Sequence, residues 1–379
     1  MQADFPVWGG GRRAAATSLG PLDEEVRSRL IWVPSFVDLG CDPGFPGFPA
    51  RETRDSLAAA ARAGGFGELV LSPRVDPVAD KPEHIARLER AVGGVRFHPT
   101  GALTVGLAGE ELAEVGLLIR AGAVAVSDGG LPHKDTLVLR NALEYCREFG
   151  VTVILRPADA ALDAVGVVND SSVATRLGLR GNPAATEEIG VARVVSLCRA
   201  TGASVHMTHI GTALGVEAIV SAQREGLRLT ASTPARNLLI DEEYLDDGRY
   251  DARFRLHPPL RSRADRAALV AAVQAGTLLL AADHQPRAPE EKDHEFERSV
   301  PGSPGLRTAF AAAMTALGSL DAVVAALSLA PRAVLGLDVC SWALVDPEGS
   351  WVVAGARPLA TDALEGVRLR GVVYELISS

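Results

Sequence analysis

Residues 123–155 read AVAVSDGGLPHKDTLVLRNALEYCREFGVTVIL and hold one complete strand–helix–strand unit. AVAVS (123–127) and VTVIL (151–155) are short apolar runs rich in Val, the composition of strands covered on both faces. Between them, 135–149 reads as a helix that stops at Gly150, the residue type a helix C-terminus favours. Two apolar strands joined by a helix call for a parallel sheet.

The same unit recurs on both sides. Further strands are expected at 31–39, 68–72, 95–103, 203–208, 227–232 and 278–282, and further helices at 53–63, 82–92, 109–121, 184–201, 213–225 and 264–275. Gly64, Gly122, Gly202, Gly226 and Gly276 close helices as Gly150 does. Eight strands alternating with helices predict an α/β chain of the (β/α)8 TIM-barrel type. The competing architecture, a doubly wound sheet, needs a phosphate-type glycine loop after its first strand. GCDPGFPGF (40–48) opens no helix for several residues, so the barrel is preferred.

The barrel is assigned to 31–337. Residues 1–30 and 338–379 lie outside the alternation, and WALVDPEGSWVVAG and VRLRGVVYELI in the tail read as two strands. A small β appendage built from both chain ends is expected. Residues 309–330 approach membrane-span length but contain Asp321 and Gly318, so two core helices meeting near Gly318 are expected.

Composition narrows the function classes. The 379 residues are 47% hydrophobic and 22% charged, and 38 basic against 47 acidic side chains give a net charge of -9. That balance, with no basic run, argues against nucleic-acid binding. Cys41, Cys146, Cys198 and Cys340 are too scattered for a disulfide framework or a zinc knuckle. No secretory signal is evident, so a cytoplasmic location without membrane association is expected.

Barrel enzymes carry their chemistry at the C-terminal ends of the strands. Here those positions hold Asp38, Gly40 and Asp42 (strand one), Pro73 and Arg74 (two), Asp128 (four) and Arg156 (five). His206 and His209 follow for strand six, Thr233 to Arg236 for seven, and Asp283 and His284 for eight. Carboxylates and a histidine on one rim could hold a metal, whereas the arginines could form salt bridges or an anion site. Cys41 lacks the basic setting of a nucleophile. His206, His257 and His284 have structural readings as a packed strand residue, a turn residue and a constrained corner.

The chain resembles the dihydroorotases of the amidohydrolase superfamily from about Pro34 to its C-terminus. PSFVDLGCDPGFPGFPARET is similar to the family's PGxxDxHxHxRxPG opening motif. GALTVGLAGEELAEVGLLIRAGAVAVSDGG, VHMTHIGTA, STPARNLLIDE, HPPLRS and AADHQP follow in the family's order. The resemblance implies metal ligands at positions now held by Gly40, Asp42, Asp128, Arg156, His209 and Asp283. Only Asp128, His209 and Asp283 keep the family residue, and Asp283 is the position that moves the proton in active relatives. Two adjacent histidines after strand seven correspond to Ala235 and Arg236. Substrate-binding positions are replaced at Gly44, Arg74, His257 and Arg287.

Gly40 supplies no ligand, and a guanidinium at 156 cannot deprotonate to admit a dication. Arg156 is therefore expected to stand in for the metal by pairing with Asp42, Asp128 or Asp283, with no cofactor bound. This pattern resembles the inactive dihydroorotase-like chains that partner aspartate carbamoyltransferase in pyrimidine biosynthesis, which implies an oligomeric assembly with that enzyme. The alternative is an active dihydroorotase, or another cyclic amide hydrolase, with zinc on a reduced set of Asp42, His209 and Asp283. A third reading is a small-anion sensor using Arg74, Arg156 and Arg236.

Overall fold

The computed structural model describes residues 4–14, 19–20, 22–88, 91–246, 248–354 and 361–378. Eight parallel strands form one sheet in chain order: β1 (Phe36–Cys41), β2 (Phe66–Leu71), β3 (Arg96–Ala102), β4 (Ala125–Ser127), β5 (Val153–Leu155), β6 (Val205–Met207), β7 (Leu229–Pro234) and β8 (Leu279–Ala281). β8 comes round to β1 without a ladder between them. Asp38 Oδ1 accepts from the Ala282 amide at 2.9 Å, and the Asp42 amide donates to the His284 carbonyl at 2.9 Å. The expected α/β barrel is present.

Strand periodicity explains why its strands read as continuous apolar runs. Val37, Leu39, Val70, Ala125, Ile154 and Leu279 point inward as one cluster. Their chain neighbours Leu69, Leu71, Val126, Val153 and Leu155 point outward against the helices. Each such side chain contributes roughly 1.5–3 kcal/mol on burial. The helices carry local stop and start signals: a Thr53–Ser56 capping box opens Arg54–Ala63, Ser262–Asp265 opens Arg263–Gln274, and Gly202, in the left-handed conformation, closes Ala185–Thr201.

Three expectations are corrected. The run 31–39 is two strands, not one: Ile31–Pro34 pairs with Ser341–Val352, and β1 begins at Phe36. Pro34 has no N–H to extend a ladder, and the Ser35 carbonyl is taken by Arg332 and Ser328. The helix expected over 109–121 covers only Val115–Arg120, because Gly109 is left-handed and its amide donates to Thr104 Oγ1. The helix expected over 82–92 is Pro82–Leu88; residues 89–90 lie outside the described ones.

The chain ends form a separate small sheet, with Ser341–Val352 between Ile31–Pro34 and Arg368–Ser378, all antiparallel. An antiparallel pair, Asp4–Pro6 with Arg12–Ala14, lies beside it, and Phe5, Leu30, Trp32 and Leu344 fill the space between. A buried charge cluster lies on the barrel side of that junction. Glu68 of β2 accepts from Arg332 at 3.1 Å and lies 2.9 Å from His98 Nε2. Helices Leu306–Leu317 and Leu320–Val324 meet at Gly318. Among the described residues no helix is long and apolar enough to cross a membrane.

Candidate functional site

The C-terminal ends of the strands surround a cavity of ≈ 80 Å³. Gly40, Asp42, Arg74, Arg156, His209, His257 and Arg287 all line it, although they come from six separate stretches of chain between residues 40 and 287. Asp128 instead lines a neighbouring cavity of ≈ 330 Å³, together with His133 and Asp163. Gly44 is absent from both linings. It is a left-handed turn residue, and a Cβ there would lie 2.8 Å from Glu52 Cβ.

Three sets of paired charges organise the rim. In the first, Arg236 lies against Asp283 Oδ2 and also donates to the Asp283 carbonyl at 3.2 Å. The other oxygen, Asp283 Oδ1, is 2.8 Å from His209 Nε2 and accepts from Gln285 at 2.6 Å. Burial alone would raise the Asp283 pKa, but the charges of Arg236 and His209 outweigh it and hold the carboxyl well below its usual range.

In the second set, Arg74 and Arg287 share one oxygen, Asp42 Oδ2, at 3.1 and 3.4 Å. In the third, Arg156 makes a two-pronged pair with Asp163 at 3.0 and 2.6 Å, and its Nε donates to the Gly130 carbonyl at 2.6 Å. His257 Nε2 approaches the same Asp163 at 3.0 Å. Against the opposing effect of burial, the hydrogen bonds from His257 and Arg156 hold Asp163 well below the ordinary carboxylate range.

The expected pairing of the Arg156 side chain with Asp42, Asp128 or Asp283 is therefore corrected. Only its backbone amide reaches a rim carboxylate, Asp128 Oδ2, at 3.0 Å. Asp163 wins because it presents both oxygens from a short helix, Ala160–Asp163, that Asp159 caps within the same loop. The guanidinium that does pair with Asp283 belongs to Arg236. Arg156-Pro-Ala-Asp-Ala-Ala-Leu-Asp163 contained the signal that was missed: an acid one helical turn beyond an N-cap Asp.

The remaining rim residues are structural. His206 lies between Thr230 and Ser232 hydroxyls at 2.9 and 3.0 Å. His284 lies 3.0 Å from Glu52 and faces the Gly305 amide. Cys41 is buried, and burial followed by Asp38, Asp42, Glu52 and Asp283 pushes its thiol up, away from nucleophile chemistry.

A dication does not fit this donor set. His209 and Asp283 already bond to each other, Asp283 carries Arg236, and Asp42 carries two guanidiniums. Among the described residues no three His, Cys, Asp or Glu side chains converge as ligands. Position 40 keeps the space a ligand side chain would use, since a Cβ built on Gly40 meets nothing within 4 Å.

Sequence comparison supplies the lineage of this rim. A family profile described as Dihydro-orotase-like matches residues 28–214. A dihydroorotase of Anaeromyxobacter dehalogenans is 37% identical over 349 residues, covering 88% of this chain and 81% of that one. The chain belongs to the dihydroorotase family. A dihydroorotase of Pelotomaculum thermopropionicum is 40% identical over 320 residues, covering 82% and 74%. Among solved structures, the L-hydantoinase of Arthrobacter aurescens superposes with a TM-score of 0.81 at 18% identity, over 96% of this chain and 88% of that one. A D-hydantoinase from Thermus sp. gives 0.75 at 18%, over 95% and 87%. Those two likenesses concern the barrel fold. This member of the dihydroorotase family combines an intact barrel with a rim on which Asp42, Asp163 and Asp283 are each paired with arginine.

Proposed function

We propose that this dihydroorotase-family chain serves pyrimidine biosynthesis as a non-hydrolytic structural partner of aspartate carbamoyltransferase. One observation carries the reading: Arg236 lies on Asp283, where active relatives need a carboxylate free to bind metal and move a proton. A carboxyl held far below neutral by a fixed guanidinium neither binds a proton at physiological pH nor offers that oxygen to a cation. His209 is likewise committed to Asp283. What the rim residues do is hold the loops after β1, β2, β5, β7 and β8 together without a metal, and so keep the barrel rigid as a scaffold.

The second reading, a working cyclic amide hydrolase, draws on the retained Asp128, His209 and Asp283 and on the names of the relatives. The two separate at the bench. The purified chain is expected to contain no stoichiometric zinc and to leave dihydroorotate unhydrolysed; zinc together with turnover would establish the hydrolase. Co-expressed with the transcarbamoylase of the same organism, the chain is expected to co-elute with it. Separate elution at micromolar concentration, with a fully assembled and active transcarbamoylase, would remove the scaffold.

A further inference from the structure

The three charge sets at the rim are not equally balanced. Asp163 and Asp283 each face one guanidinium, whereas Asp42 faces two, both on the same oxygen. Two arginines thus meet one carboxylate at Asp42, a local excess of one positive charge. The neighbouring charged groups have partners of their own. Asp128 accepts from the Gly130 and Arg156 amides and lines the neighbouring cavity, Arg51 is paired with Glu291, and Glu52 with His284.

The excess lies at the mouth of the ≈ 80 Å³ cavity. The Arg287 side chain is 4% exposed and that of Arg74 is 39% exposed, so Arg74 is the one that solvent reaches. The only acceptor of the Arg74 guanidinium among the described residues is Asp42, which leaves most of its five N–H donors available. Arg287, by contrast, is shut away from solvent. Burial chiefly lowers its pKa, Asp42 opposes the shift, and Arg74 and Arg51 reinforce it.

We propose that this cavity binds a small dianion, inorganic phosphate being the simplest, on the exposed edge of Arg74; the inference rests on the reading that the rim holds no metal. Charge selects a dianion over a monocarboxylate. Asp42 is already a tethered monocarboxylate on these two arginines, so an untethered one gains little by competing with it. A tetrahedral dianion brings the extra charge and matches the fork of a guanidinium. The larger neighbouring cavity is lined by Asp128, which no guanidinium pairs among the described residues, and that carboxylate disfavours a dianion there.

The test is thermal unfolding of the full, chelator-treated chain titrated with inorganic phosphate at constant ionic strength, with chloride and acetate as controls. Phosphate is expected to raise Tm saturably, and chloride and acetate are not. Arg74→Ala is expected to weaken phosphate binding at least about tenfold, the loss of one charge-assisted hydrogen bond. Arg74→Lys keeps the charge but not the fork and is expected to weaken it by a smaller factor. Equal effects of phosphate and chloride, equal effects of phosphate and acetate, or an undiminished phosphate effect in Arg74→Ala would each overturn the proposal. Zinc content and dihydroorotate turnover are measured on untreated protein, so failure of the non-hydrolytic reading is seen separately.

Discussion

Arg236 is joined to Asp283 twice, through the carboxylate and through the backbone carbonyl of the same residue. Asp283 is also one of few non-glycine residues with a left-handed backbone (φ 48°), so its neighbours must hold both its charge and its conformation. Arg236→Ala would leave a 2% exposed carboxylate with His209 and Gln285 only. The expected loss is about 3–5 kcal/mol in urea unfolding, the cost of orphaning a buried charge. Arg236→Lys keeps the charge and is expected to lose less. An Ala variant as stable as the parent would show that the pair is not what holds the rim.

Position 40 separates space from chemistry. A side chain at Gly40 meets open space, so Gly40→His is expected to fold with stability within about 1 kcal/mol of the parent. It is not expected to bind zinc by itself, because Arg236, Arg74 and Arg287 still occupy the neighbouring carboxylates. Isothermal titration with zinc checks this, and a chelator is expected to leave the Tm of the parent chain unchanged. Stoichiometric zinc in the single variant would mean that one missing ligand, rather than the guanidiniums, closed the site.

The barrel was legible because its signals are local. Val153, Ile154 and Leu155 announce a strand whatever lies beside them, and Gly150 and Gly202 end their helices through their own backbone freedom. The choice of partner on the rim is not local. Arg156 could reach several acids, and which one it takes depends on the loop that carries Asp163. Gly44 aligns with a substrate residue, yet its turn packs on Glu52 away from the cavity. The changed residue types at positions the family resemblance marks could be read from the sequence; the pairing of Arg236 with Asp283 required the structure.

Stability should fall in mild acid through His206. The ring is fully buried between two hydroxyls, and burial, with a smaller effect of His209, lowers its pKa from 6.5 to about 3. Below pH 6.5 the unfolded chain takes up a proton that the folded chain refuses until about pH 3. Folding therefore loses about 1.4 kcal/mol per pH unit inside that window. Asp38 acts in the opposite sense: burial raises it to about 6, so it gains its proton first in the folded state as pH falls. His206→Gln keeps the Asp38 effect and removes the histidine effect. The urea midpoint of the variant is expected to gain on that of the parent as pH falls from 7 to 4, and parallel curves would place the acid sensitivity elsewhere.

Gly67 marks where the barrel and the appendage touch. A Cβ there would overlap the hydroxyls of Ser35 and Ser341, which bond to each other at 2.6 Å inside the protein. Ser35 Oγ also accepts from Arg332, the arginine that holds Glu68, so displacing the serine disturbs the whole junction. Gly67→Ala combines overpacking with broken buried hydrogen bonds and is expected to cost about 3 kcal/mol or more. Gly150→Ala is the matched control: it has a left-handed φ of 64° but nothing within 4 Å, so it carries only the backbone penalty of about 1–2 kcal/mol. In limited proteolysis, Gly67→Ala is expected to expose Ser341–Val352 and Arg368–Ser378 to cleavage before the barrel is cut, because Ile31–Pro34 and Ser341 lose their anchor together. Equal losses for the two variants, with no early cleavage of the appendage, would show that the junction yields without strain.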